Sequence, residues 1–576
     1  MFVALTGILG MVSPPDLALM TAQAQTTQDR KAEADRLLQQ GNQQFQISQF
    51  EAAFQSWQQA LTIYREIKFK SGELGALGGL GLAHYILGKY DKAIEFHQQS
   101  LTIAREIKDR RGEGAALGNL GSTHQKLGEF DKAIEYFQQL LAISLEIRDR
   151  RGEGTALGNL GLTYNSLGKF EEAINFYLQA LAILRELKER QGEGIVLGNL
   201  GLTYDSLGKF EEAIKYHLQR LEIAREIKDR LGEGETLGNL GLAYDSLGKY
   251  NEAIKFHLQA LAILQETQNR QGEGSVLGNL GVAYQNLRKY NKAIEFYLQA
   301  LAILRETKNR QGEGSVLGNL GVAYYSLDKY DKAIEFHLQR LAITQKINDR
   351  RGEGQSLLNL GNAYYSLRKY DKAIKFHLQS LAISREIKDR DGERISLNNL
   401  GVAFNKLNQP ELAILFYKQS VNVIESIRQD IRKLSQDEQK SYLSTVENTY
   451  RNLADLLLKQ DRILEAQQVL DLLKVEELSE YLRTVRGNSE TVKGTDLQKP
   501  EQNIIALSNE LAELQKLDRE GNLDPQQQPR LAFLTNNEKE YNKQFNAFLQ
   551  IPAVQKEIQE LRRTQSAQNV DIQKYN

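Results

Sequence analysis

A block of forty residues, seen cleanly from Gln191 to Arg230, recurs in near-identical form along most of the chain. Gly72, Gly112, Gly152, Gly192, Gly232, Gly272, Gly312, Gly352 and Gly392 stand forty apart, as do Leu80 through Leu400 and Ala93 through Ala413. A self-similar period of this length demands an array in which each unit buries its apolar face against the next. The register gives ten units, the first and most divergent from about Ala34 to Gly72, and a degenerate eleventh around Leu453, Ala454 and Ala466. Such a chain is built to present a long surface, not to enclose one reaction site.

Each unit reads as two antiparallel helices. In the fifth, Val196, Leu197, Leu200, Tyr204 and Leu207 recur at spacings of three and four, which marks one helical face. Gly208 then caps that helix in the left-handed conformation. A second helix is expected from about Phe210, with Ala213, Ile214, His217, Leu221, Ala224 and Ile227 on its apolar stripe. Asp229-Arg230 with Gly232 and Gly234 are expected to break it and begin the next unit. Gly198 and Gly201 fall inside the first helix, where each costs about 1 kcal/mol relative to alanine. Their recurrence points to a steric reason: together with Ala213 they let neighbouring helices approach closely.

Leu200, Gly201, Tyr204, Gly208, Ala213 and the aromatic or histidine at 217 together resemble the tetratricopeptide repeat. The forty-residue length departs from that family's thirty-four through a longer second helix, with Arg225 where the family favours proline. Arrays of the Pins/LGN group and kinesin light chains are similar. The resemblance implies an all-α, right-handed solenoid of about ten helix-turn-helix repeats over residues 34–432. A capping repeat over 433–485, a polar linker over 486–502 and a helical hairpin over 503–576 complete the expected order. Ile504, Leu507, Leu511 and Leu514 carry a heptad-like rhythm into that hairpin, and Pro525 and Pro529 mark its turn. The segment from Tyr450 to about Arg563, through Ala466–Leu470 and Leu473–Glu477, resembles the region that precedes a caspase-like CHAT domain in bacterial, especially cyanobacterial, repeat proteins. On that reading the chain is the recognition half of such a system, without the protease domain itself.

No catalytic constellation emerges, and neither cofactor nor metal is expected. Cysteine is absent, and no phosphate loop, zinc helix or nucleophile elbow appears. His97, His217, His257, His337 and His377 share a column with Trp57, Phe137, Tyr177, Tyr297 and Tyr417; His84 and His124 share one with Tyr164 to Tyr364. Columns that accept aromatic rings interchangeably are packing columns. Glu211-Glu212 and Asp331-Lys332 read as a solvated helical face. The formal net charge of -1 gives no field favouring nucleic acid or anionic lipid. The expected partner is a protein or peptide.

The columns left for that partner lie on the first helices. An asparagine precedes the core leucine at Asn119, Asn159, Asn199, Asn239, Asn279, Asn319, Asn359 and Asn399. In the arrays this one resembles, first helices line the concave side and asparagines there grip an extended peptide. An amide that both donates and accepts matches a peptide backbone. The alternative is that these amides bond adjacent repeats and hold the stack. Beside them, one column runs Leu162, Leu202, Leu242, Val282, Val322, Asn362, Val402. Another runs Gln125, Asn165, Asp205, Asp245, Gln285, Tyr325, Tyr365. The groove is thus expected to be acidic at Asp205 and Asp245 and aromatic at Tyr325 and Tyr365.

Residues 1–33 read as a leader. An apolar run from Phe2 to Val12 precedes Ala22-Gln23-Ala24, a pattern of secretory cleavage, although no Lys or Arg stands before the run. Cleavage implies an exported or envelope protein; a retained, disordered leader implies a cytoplasmic one. No stretch has the length and apolarity of a membrane span.

Overall fold

The computed structural model describes residues 14–479 and, beyond them, residues 510, 513–514, 517–518 and 522–531. Every described element is helical. From Phe50 to Lys406 the helices are seventeen residues long and separated by three-residue turns, as in Arg190–Ser206 and Phe210–Glu226, so two helices and two turns make up the forty-residue period. The chain divides into two compact units, residues 1–268 and 269–576.

Both turns of each repeat end the preceding helix in the same way. After Arg190–Ser206, Gly208 adopts φ +70°, its N–H donates to the Asp205 carbonyl, and the Lys209 N–H reaches back to the Tyr204 carbonyl at 2.9 Å. These are the two bonds of a Schellman cap. After Phe210–Glu226 the left-handed residue is Lys228, at φ 58°, with Asp229 N–H bonding the Ala224 carbonyl at 2.8 Å. Position 228 is a stop signal that composition does not reveal, since lysine tolerates that backbone far less readily than glycine. Gly232 and Gly234, expected to break the chain, instead lie in the helix Arg230–Ser246. Asp229 caps that helix, its carboxylate accepting the Gly232 N–H at 2.9 Å.

Within each unit the core runs between paired helices. Leu200 and Ala213 are fully buried. Tyr204 of the first helix stacks on Tyr216 of the second, centroids 5.3 Å apart, and His84 and His124 stack in the same manner on Phe96 and Tyr136. The histidines of this column therefore take the aromatic packing role. Successive first helices touch one another in each unit, whereas no two second helices come into comparable contact. First helices thus lie on the inner side of the stack.

The glycines do admit close approach, and what approaches most closely at Gly201 is a ring. A Cβ on Gly201 would sit 2.4 Å from the His217 imidazole, and Gly121, Gly161 and Gly321 meet Phe137, Tyr177 and His337 likewise. Each glycine makes room for a whole ring of its own repeat.

A buried carboxylate recurs beside this core. Glu233, 7% exposed, accepts the Arg225 Nε at 2.8 Å and the Arg230 guanidinium at 2.6 Å. The same arrangement binds Glu113 to Arg105 and Arg110, Glu193 to Arg185 and Arg190, and Glu313 to Arg305 and Arg310. Arg225, the departure from the thirty-four-residue pattern, has this as its structural role: the longer second helix carries a clamp on the next repeat.

The eleventh unit keeps the repeat contacts with thirteen residues inserted before it. Leu453, Ala454 and Ala466, all buried, follow Leu400, Gly401 and Ala413 by fifty-three. The insertion lengthens the preceding helix to Pro410–Asp430 and starts Gln436–Lys459 behind a Ser435–Glu438 capping box. Ala454 replaces the glycine because leucine, not a ring, occupies position 470. Lys418, 1% exposed, pairs with Glu465 at 2.8 Å, tying the helix Ile463–Ser479 to the array.

Residues 14–33, assigned above to the leader, belong to the helix Pro14–Gln46 that continues into the first repeat. Residues 1–13 and the linker over 486–502 lie outside the described residues. So does most of the expected hairpin; within it Arg530 pairs with Glu510 through contacts of 2.8 and 2.9 Å.

Candidate functional site

The solvent-facing stripe of a first helix is set by helical spacing: in Arg190–Ser206 it holds Ile195, Asn199, Leu202 and Ser206. Asn119, Asn159, Asn199, Asn239, Asn279, Asn319, Asn359 and Asn399 are all half-buried on such stripes. The Asn399 amide donates to Asn362 Oδ1 at 2.9 Å. The side chains of the other seven make no hydrogen bond to any group among the described residues. Their backbone carbonyls are used locally, as where Thr203 Oγ1 donates to the Asn199 carbonyl at 2.7 Å. Beside them, Leu162, Leu202 and Leu242 are 38%, 44% and 45% exposed, apolar surface at one residue per repeat.

The second column is engaged within the protein. Gln125 donates to Thr163 Oγ1 at 2.8 Å, and Asn165 accepts from Thr203 at 3.0 Å. Asp205 and Asp245 each turn one carboxylate oxygen to a fully buried imidazole, His217 Nε2 at 3.0 Å and His257 Nε2 at 3.2 Å. The second oxygen of each carboxylate is buried as well, without a hydrogen-bond partner among the described residues, so their acidity is directed at the core and not at an open groove. Tyr325 shares a hydrogen bond with Ser366 at 2.9 Å and meets Tyr330 edge-on; Tyr365 packs beside Tyr370.

Burial governs the ionisation of His97, His337 and His377. His97, His337 and His377 are held down to about 4, in each case because the ring is buried; the Arg340 charge adds to the effect at His337. Burial disfavours a charged Glu233 and Glu313, yet the two guanidinium hydrogen bonds to each outweigh it and hold both carboxyls below the ordinary glutamate range. These side chains stabilise the stack. Among the described residues no three His, Cys, Asp or Glu side chains are grouped to hold a metal ion, and no helix is long and apolar enough to cross a membrane.

Two arginines were not foreseen from the sequence. Arg220 and Arg340 occupy a second-helix column filled elsewhere by alanine or serine, as at Ala180, Ala260, Ala300 and Ser380, and once by Leu140. Each crosses a glycine of the first helix in its own repeat: a Cβ on Gly198 or Gly318 would lie 2.7 or 2.8 Å from the guanidinium. The sign available in the sequence was the coincidence of arginine with that glycine, whereas at Gly158 a Cβ would meet nothing within 4 Å.

Paired helices of fixed length, buried leucine, alanine and ring columns, and an inner surface of first helices define a helical-repeat solenoid, a class typically used for protein interaction. The tetratricopeptide repeat family model matches residues 33–106, 112–186, 192–266, 273–346 and 353–426, more than half of the sequence, and the chain belongs to that family. Among solved structures, it is similar to BtubC from P. vanneervenii, with 24% identity, a TM-score of 0.36 and coverage of 38% of this chain and 92% of that one. The apo quorum sensor NprR from B. thuringiensis is similar at 17% identity and a TM-score of 0.44, over 57% of this chain and 92% of the other. A putative kinesin light chain repeat array from Podosopora anserina matches at 22% identity and a TM-score of 0.31, over 34% and 95%. A search among curated proteins found no match. The family match ends at residue 426, so the likeness of the following segment to CHAT-linked regions rests on the sequence alone.

Proposed function

We propose that the protein is a non-enzymatic interaction scaffold that holds a peptide segment along the inner face of its first helices. The observation that carries this reading is the run of seven half-buried asparagine amides without a hydrogen-bonding partner among the described residues. Were the column there to join adjacent repeats, its amides would be bonded across them, as Asn399 is to Asn362. An amide offers both a donor and an acceptor, the pair an extended backbone leaves open. The neighbouring exposed leucines supply apolar contact without a strict demand on ligand sequence.

Substituting Asn159, Asn199 and Asn239 together by alanine tests the reading. Loss of peptide capture with an unchanged thermal transition supports it. A lowered transition with undiminished capture per folded molecule makes the asparagines structural and refutes it.

A further inference from the structure

Arg220 and Arg340 are equivalent side chains in two different electrostatic settings. Both pass over a glycine of their own first helix and reach the first helix of the next repeat. Arg220 meets Glu235 there, Nη2 to Oε2 at 3.4 Å. Arg340 meets Gln355, forty times three residues further along, where its Nη2 donates to the amide Oε1 at 2.9 Å. Glutamate and glutamine are nearly isosteric, so the difference is one negative charge. Among the described residues Arg340 Nε is buried with no hydrogen-bond partner, and the guanidinium forms no ion pair. Burial works against its charge, and only the more distant field of Asp349 supports it.

Between Arg340 and the next charged side chain on that stripe, the exposed Arg351, the surface is polar or apolar and uncharged. Along the exposed stripes of Arg310–Ser326 and Arg350–Ser366 stand Ser315, Asn319, Val322, Gln355, Asn359 and Asn362. A half-buried guanidinium with no ion pair among the described residues, its Nη2 at the edge of a stripe without a carboxylate, is complementary to a carboxylate. We infer that Arg340 receives an acidic side chain of a bound peptide, so that the ligand carries an Asp or Glu in register with the gap between these two first helices. In residues 1–268 the corresponding arginine is already neutralised by Glu235, and that position makes no such demand. This inference rests on the proposed use of the inner face for peptide binding.

The test is a selection of displayed random twelve-residue peptides on the immobilised full chain, its Gln355→Glu variant and its Arg340→Ala variant. Gln355 is exposed and the Arg340 column accepts alanine elsewhere, so both variants are expected to keep the parent's thermal transition. The expected result is enrichment of Asp or Glu at one position of the captured peptides, about fivefold or more over the input. That bias is lost in both variants while peptides are still captured. Capture without acidic enrichment, or with enrichment unchanged in Gln355→Glu, overturns the inference and leaves the scaffold reading standing. No peptide captured above blank resin overturns both.

Discussion

The imidazole of His217 lies against the backbone of Gly201, so close that a Cβ there would come within 2.4 Å of the ring. Gly201→Ala therefore forces either the ring or the helix to move. Overpacking of this kind costs about 1 to 3 kcal/mol, more than the helix propensity alanine gains, about 1 kcal/mol. Urea unfolding is expected to show a net loss. Gly158→Ala provides the internal contrast: a Cβ there meets nothing within 4 Å, and the same measurement should show a gain of a few tenths to about 1 kcal/mol.

The clamp on Glu233 predicts a second effect. Glu233→Gln removes the charge that receives both Arg225 and Arg230, while the arginine side chains stay roughly half exposed and solvated. A loss of about 1 to 2 kcal/mol is expected, below that of a fully buried pair. Because the Glu233 and Glu313 carboxyls lie below the ordinary glutamate value, their contribution is present above that value and disappears as pH falls through the folded one. Melting curves between pH 5 and 3 are expected to steepen downwards, and less so in a Glu233→Gln, Glu313→Gln chain, with these bounds of about 5 and 3 bracketing the ordinary carboxylate range.

The buried histidines act in a separate pH window. His97, His337 and His377 stay neutral to about pH 4, whereas an unfolded histidine takes its proton near 6.5. Above about 6.5 neither state is protonated and the rings cost nothing. Between about 6.5 and 4 only the unfolded chain gains the proton, so stability falls, by linkage on the order of 3 kcal/mol per ring at the lower limit. Replacing His337 and His377 by phenylalanine, which the column holds at Phe137, is expected to flatten the dependence between pH 6.5 and 4.

For the asparagines the expected separation is between binding and stability. Alanine at Asn159, Asn199 and Asn239 removes no side-chain hydrogen bond found among the described residues. The transition should move by less than about 0.5 kcal/mol, the ordinary range for surface changes. Each amide lost from a ligand contact is expected to cost about 1 kcal/mol of affinity, measured by titration calorimetry with a captured peptide. Asn399→Ala, which also breaks the bond to Asn362, should instead affect stability.

The repeat length, the helix pairs, the leucine, alanine and ring columns and the Gly208 cap were all legible in the sequence. Each depends on local spacing, copied often enough to fix its phase. The left-handed Lys228 was not legible, because that conformation is imposed by the two flanking helices and not by lysine. Nor did spacing reveal why each glycine recurs. Gly201 is required by a ring sixteen residues away, Gly198 by Arg220, and Gly158 by nothing within reach.

Charge was the property the sequence described least well. Written in one dimension, Asp205 looked like groove lining, and neither Glu233 nor Arg340 stood out from the other charged residues of the repeat. The fold buries Glu233 between two arginines, turns Asp205 towards His217 and sets Arg340 against an uncharged Gln355. The sequence by itself determined the period, and with it the secondary structure and the apolar core, since both follow from residue spacing within one unit. Only the tertiary structure decided which charges meet, because an ion pair depends on distances between helices that the forty-residue pattern does not encode.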